Sequence, residues 1–119
     1  MIIVNGILKV KENKTSDVIE KAKPLIEASR THEGNISYNL YQDAVDGSLT
    51  FVEKWESKEA LQEHMQTPEF GQFTEEVKEF LAGELGIEIY YAQLLSDNTQ
   101  VEEEKDENLI KIYFKKRDE

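Results

Sequence analysis

Apolar side chains recur along this chain with two different periods, and the switches between them outline the fold. Residues 2–10 are β-branched and aliphatic and run into the polar stretch 11–14, which predicts a strand. Over 15–31 the apolar positions are Val18, Ile19, Ala22, Leu25 and Ile26, with Ser29 continuing the face; this is helical spacing. Thr15 or Ser16 can cap that helix, Asp17 suits its positive end, and Pro24 inside it predicts a kink near Glu20 rather than two helices. Glu33-Gly34 ends it. Residues 36–43 alternate, with Ile36, Tyr38 and Leu40 on one face. Asp46-Gly47 marks a hairpin turn, and 49–56 is the returning strand. Ser57 caps a short helix over 58–66. Thr67 then caps a second one, with Pro68 at its first position and an apolar stripe through Phe70, Phe73, Val77, Phe80 and Leu81. Gly83 and Gly86 close that helix, and 87–95 is a last strand.

The order β-α-β-β-α-β predicts an α+β, ferredoxin-like domain over residues 1–95. Helices can cover only one side of its sheet, yet both faces are apolar. In the first strand Ile2, Val4, Leu8 and Val10 oppose Ile3 and Ile7; in the last, Ile87, Ile89 and Tyr91 oppose Tyr90, Ala92 and Leu94. The uncovered face is expected to meet a second copy, giving a homodimer with facing sheets, a dimeric α/β barrel. Residues 96–119 form an extension: an acidic linker over 96–107, then an extra C-terminal strand, Leu-Ile-Lys-Ile-Tyr-Phe, over 109–114.

Composition narrows the class. With 119 residues, 39% apolar and 33% charged, the chain can bury only a small core, which again favours association. A net charge of −11 argues against nucleic acid and anionic membranes as partners. Cysteine is absent, so thiol catalysis and Cys-based metal sites are excluded. With no signal peptide or spanning segment visible, a cytoplasmic location is expected. His-Glu-x-x-His, Gly-x-Gly-x-x-Gly and Gly-x-Ser-x-Gly patterns are all missing, and no cofactor is implied.

The chemistry concentrates between Glu53 and Phe73, which holds the only Trp, one of two His and two Phe. His64 lies beside the apolar face of the short helix. It could be a general base, or it could pack at a helix end and bond a carbonyl. Trp55, Phe70 and Phe73 are core residues that could also wall a pocket. Glu53 shares a strand face with Phe51 and Trp55; it could carry a raised pKa or sit in a structural ion pair. Asn5 is polar inside an apolar strand, so it either holds a substrate oxygen or satisfies a bulge beside Gly6. Tyr38 offers a hydroxyl. His32, at a helix end beside Glu33, is expected to be solvated.

Trp55-Glu56-Ser57, Ala60-Leu61, His64, Thr67-Pro68 and Phe70 resemble the signature of the antibiotic-biosynthesis monooxygenase family. Arg30 through Glu33, Gly34 and Tyr38 is similar to a second family segment, and the resemblance runs over residues 2–95. It implies a cofactor-independent monooxygenase that oxidises a quinol or similar small aromatic with dioxygen. His64 would be base or proton relay, Asn5 would hold an oxygen, and Trp55, Tyr38, Glu53, Phe70 and Phe73 would shape the pocket. The alternative is a non-catalytic, dimeric binding or stress-response module on the same fold. A haem-degrading branch of the family is more distant: His64 stands where that branch has a Trp, and Thr74 where its haem ligand falls.

Overall fold

In a computed structural model of the chain, residues 1–95 are described, in the order β1 (Ile2–Leu8), α1 (Thr15–Ser29), β2 (Asn35–Gln42), β3 (Leu49–Trp55), α2 (Lys58–Met65), α3 (Pro68–Val77) and β4 (Gly86–Tyr91). The expected linker and strand at 96–119 lie outside the described residues. The four strands form one antiparallel sheet in the order β2-β3-β1-β4. Ferredoxin-like topology is thus present as the periodicity predicts.

Register decides which side chains meet. Val4 pairs with Glu53 and Ile89, and Gly6 with Phe51 and Ile87; Tyr38 pairs with Glu53. Alternation therefore puts Ile2, Val4, Gly6 and Leu8 toward the helices, together with Leu49, Phe51, Glu53 and Trp55. Val18, Ala22 and Leu25 of α1 and Phe73 and Val77 of α3 close over them. Each large apolar side chain so buried contributes about 1.5–3 kcal/mol.

Several boundaries differ from the periodic reading. β1 stops at Leu8, because the chain beyond it pairs elsewhere: Lys11 donates to the Phe80 carbonyl (2.8 Å), and Ala82 donates to Lys9 (2.7 Å). Neither Thr15 nor Ser16 caps α1. Lys14 occupies the cap position without a side-chain bond, and the helix starts from a turn in which Asn13 has φ 66°. α3 ends at Val77 and tightens into one 3-10 turn, Lys78–Phe80; Gly86 opens β4 instead of closing a helix. The other caps form as expected. Ser57 Oγ accepts from Ala60 N (3.1 Å) and Thr67 Oγ1 from Phe70 N (3.4 Å).

The helical layer does not reach across the whole sheet. Every residue of edge strand β4 is exposed, including Ile87 and Ile89 on the helix side. The opposite sheet face carries Ile3, Ile7, Tyr41, Val52 and Tyr90 among polar neighbours, and nothing among the described residues covers it.

Candidate active site

Between the sheet and α2/α3 lies a slot of about 50 Å³ with almost wholly apolar walls. It owes its existence to Gly6. At an inward position of β1, between Val4 and Leu8, this residue leaves space above Phe51 that a side chain would fill. Tyr38, Glu53, His64, Phe70 and Phe73 line the slot, and Met65, Leu85, Ile87 and Ile89 form an exposed apolar rim on the β4 side. The mouth is therefore the strip of sheet that the helices leave bare.

His64 is the central polar group. Helix α2 starts at the Ser57 cap and directs residue 64 inward beside Leu61, so the imidazole is only 1% exposed. Aromatic rings surround it. Its centroid lies 4.7 Å from Trp55, 5.2 Å from Tyr38 and 5.2 Å from Phe70. The Nε2 atom is buried and has no hydrogen-bond partner. An orphaned polar atom in a protein interior is rare and costly. Burial, with a smaller push from His32, lowers the His64 pKa from 6.5 to about 4.

On the other side of the ring, Nδ1 lies 3.2 Å from Nδ1 of His32, and His32 Nε2 lies 2.9 Å from Glu69 Oε1. His32 is thus not solvated as its position at a helix end predicts. The turn after α1 folds it inward, with its backbone N–H donating to Ser29 and its carbonyl accepting from Asn35. Gly34 makes that turn possible. It has φ 82°, and a Cβ there would stand 2.5 Å from the Ala60 Cβ of α2. Neither His32 nor Glu69 stands out in the sequence, because they are brought to His64 by a long-range contact between a turn and two helices. These three side chains form a line rather than converging, and no metal-binding cluster occurs among the described residues.

Glu53 also faces the slot. Trp55 Nε1 donates to its Oε1 (3.0 Å), yet burial outweighs that bond and raises the carboxyl from 4.5 to about 7. The Tyr38 phenol is held well above its usual pKa by burial and by the nearby Glu53, so it stays protonated. Ser29 lies close enough to oppose this slightly, but its buried Oγ makes no hydrogen bond.

Two expected site residues stand elsewhere. Asn5 is not in the slot. With Val4 and Gly6 pointing inward it must point outward, and its Nδ2 donates to Glu88 Oε1 at 3.4 Å on the far face of the sheet. Trp55, 0% exposed, does not wall the slot but backs it, supporting His64 and Glu53 from behind. Gly6 is the residue that the strand pattern underrates; a lone glycine in an apolar strand was its signal.

The site is thus a buried imidazole in an aromatic slot on a ferredoxin-like domain. Comparison with known proteins narrows this. The chain belongs to the antibiotic biosynthesis monooxygenase family, whose model matches residues 1–76. It is 41% identical over 90 residues to the uncharacterized protein sll1783 of Synechocystis sp., covering 75% of this chain but only 61% of that protein, less than two thirds of its length. YcnE of Bacillus subtilis is 31% identical over 88 residues, 73% of this chain and 93% of that protein. Among solved structures, Rv0793 of Mycobacterium tuberculosis superposes with a TM-score of 0.74 at 23% identity, covering 83% of this chain and 98% of that one, which supports the fold.

Proposed function

We propose that the chain is a monooxygenase that oxidises a quinol or related small aromatic with dioxygen, using no cofactor of its own. The observation that carries this reading is His64, an imidazole that lines an apolar, aromatic slot and keeps a buried Nε2 without a partner. Family membership supports it, and the relatives YcnE and Rv0793 are provisionally named monooxygenases. His64 Nε2 takes the phenolic proton, which leaves an electron-rich phenolate in a dry site. The phenolate reduces dioxygen; one oxygen atom enters a ring carbon and the other leaves as water. The substrate supplies all the electrons, so no external reductant is needed. Glu53, neutral below about pH 7, donates a hydrogen bond to the developing oxyanion. Phe70 and Phe73 hold the ring, and Trp55 keeps His64 and Glu53 in place. Asn5, on the far face, takes no part in this slot.

The substrate enters at the β4 side, where Met65, Leu85, Ile87 and Ile89 must part, because the slot, at about 50 Å³, is far below the roughly 300–1,000 Å³ of ordinary ligand pockets. That narrowness favours a second reading, a non-catalytic binding module of the same fold. Family members commonly form dimers, and the bare outer sheet face fits that arrangement.

The test is dioxygen uptake with a panel of hydroquinones under metal chelation. Wild type is expected to exceed autoxidation, His64→Ala to lose the excess, and Gly6→Ala to fold but bind poorly. A Cβ at Gly6 meets Phe51 at an ordinary 3.6 Å, so that variant fills the slot without strain. Uptake equal to autoxidation across the panel would favour the binding module.

A further inference from the structure

The line Glu69–His32–His64 contains more than a buried base, and its hydrogen bonds fix where the protons sit. Glu69 is a carboxylate; His32 lowers its pKa, and it stands in the first turn of α3, where the helix dipole favours negative charge. A carboxylate only accepts, so His32 Nε2 carries a proton and donates to it. In neutral His32 the other nitrogen, Nδ1, is then an acceptor. The facing Nδ1 of His64 must be the donor, which leaves the lone pair of His64 on Nε2, the buried atom without a partner. Without this chain of bonds the imidazole could equally well place its proton on Nε2 and present an N–H.

We propose that Glu69 and His32 are positioning residues that set the tautomer of His64 and receive its proton, so that the three side chains form one relay between the slot and the protein surface. The inference rests on the reading of His64 as the base of that slot. When Nε2 accepts a proton from substrate, the Nδ1 proton of His64 passes to Nδ1 of His32. One N–H bond forms and one breaks on His64, which ends neutral. The charge ends on His32, whose imidazolium is paired with Glu69. Return of the Nε2 proton to a product oxygen runs the same steps backward. This arrangement avoids an imidazolium among Trp55, Tyr38 and Phe70, where no carboxylate bonds the ring directly. The charge sits instead where side-chain exposure rises from 16% at His32 to 35% at Glu69.

The relay also gives His64 two neutral faces. With His32 neutral, Nε2 offers a lone pair; with His32 protonated, Nε2–H offers a donor. The groups that face the pair are Glu69 and Phe70 from α3, Tyr38 from β2, and Glu53 and Trp55 from β3. Of these only Glu69 touches His32 with a charge. Arg30, near in sequence, is committed elsewhere: its Nε donates to the Tyr38 carbonyl and its Nη2 to Asn39.

The test uses the full chain without substrate, so its outcome does not depend on whether oxidation is found. The chain has two histidines, and long-range 1H–15N correlation of their ring nitrogens reads each tautomer directly. At pH 7.5, His64 is expected as the Nδ1–H form and His32 as Nε2–H. On acidification to pH 5 His64 is expected to stay neutral, because its burial among aromatic rings disfavours the charged form. In Glu69→Gln the Nε2–H form of His64 is expected to appear beside the Nδ1–H form, and Glu69→Asp should restore the single tautomer. A His64 that already carries its proton on Nε2 at pH 7.5 would overturn the proposal. So would a His64 that is doubly protonated at pH 5, or a tautomer that ignores Glu69→Gln. If the tautomers hold while no quinol is oxidised, the relay stands and the oxidation chemistry falls.

Discussion

Glu53 and His64 are buried ionisable groups whose effects on stability should oppose each other over nearly the same pH range. Burial moves the Glu53 carboxyl from 4.5 to about 7 and the His64 imidazole from 6.5 to about 4. A tenfold change in proton affinity is worth about 1.4 kcal/mol, so each displacement amounts to about 3 kcal/mol. Their signs follow from which state binds more protons. Between pH 4.5 and 7 the folded protein holds the Glu53 proton and the unfolded chain does not, so stability falls as pH rises through that window. Between pH 4 and 6.5 the unfolded chain protonates residue 64 and the folded protein does not, so stability falls as pH drops. From pH 5 to 7 each effect changes stability by about 2 kcal/mol in opposite directions, and together they nearly cancel. Single variants expose the hidden slopes. Glu53→Gln should gain about 2 kcal/mol in stability from pH 5 to 7 relative to wild type, and His64→Gln should lose about as much. Urea unfolding at both pH values, taken as differences from wild type, removes the contribution of the other carboxylates. If both variants track wild type to within about 0.5 kcal/mol, the two groups are not desolvated as their burial indicates.

Two further outcomes follow from the packing. Gly34→Ala combines a left-handed backbone, costing roughly 1–2 kcal/mol, with a 2.5 Å approach to Ala60 Cβ that adds roughly 1–3 kcal/mol of overpacking. Adding Ala60→Gly removes the struck atom, so the double variant should be more stable than the two single losses predict; strict additivity in thermal melts would show that the contact is unimportant. The uncovered sheet face predicts a dimer by sedimentation, and Val52→Lys, at the centre of that face, should yield monomer. A wild type that sediments as monomer at micromolar concentration would sink this expectation.

The periodicity of 2 along Ile2–Leu8 and Leu49–Trp55, the helical spacing from Val18 to Leu25, and the Ser57 and Thr67-Pro68 signals were enough to read the topology. Each of these is a local property: strand alternation, a helix face, a side chain bonding the backbone three residues on. Site chemistry was legible only where it shared that locality. His64 could be placed on the inner face of α2 from Leu61, and Glu53 beside Phe51 and Trp55 from alternation, and both side chains do lie on the inner side of the sheet. Alternation also sends Asn5 outward, once Val4 and Gly6 are fixed as inward, although its polarity in an apolar strand pointed to the slot.

What the sequence determined by itself was therefore the order and type of the elements, the Ser57 and Thr67 caps of α2 and α3, and the family to which they belong. Tertiary structure alone decided which polar groups touch. His32 and His64 are 32 residues apart in sequence and 3.2 Å apart in space, because Gly34 lets one turn lie against α2 and the Thr67-Pro68 corner swings Glu69 back toward both. The slot has the same origin. A missing side chain at Gly6 becomes a cavity only when β3, β4 and α3 are packed around it, and burial shifts a pKa only once the neighbours that exclude water have been assembled.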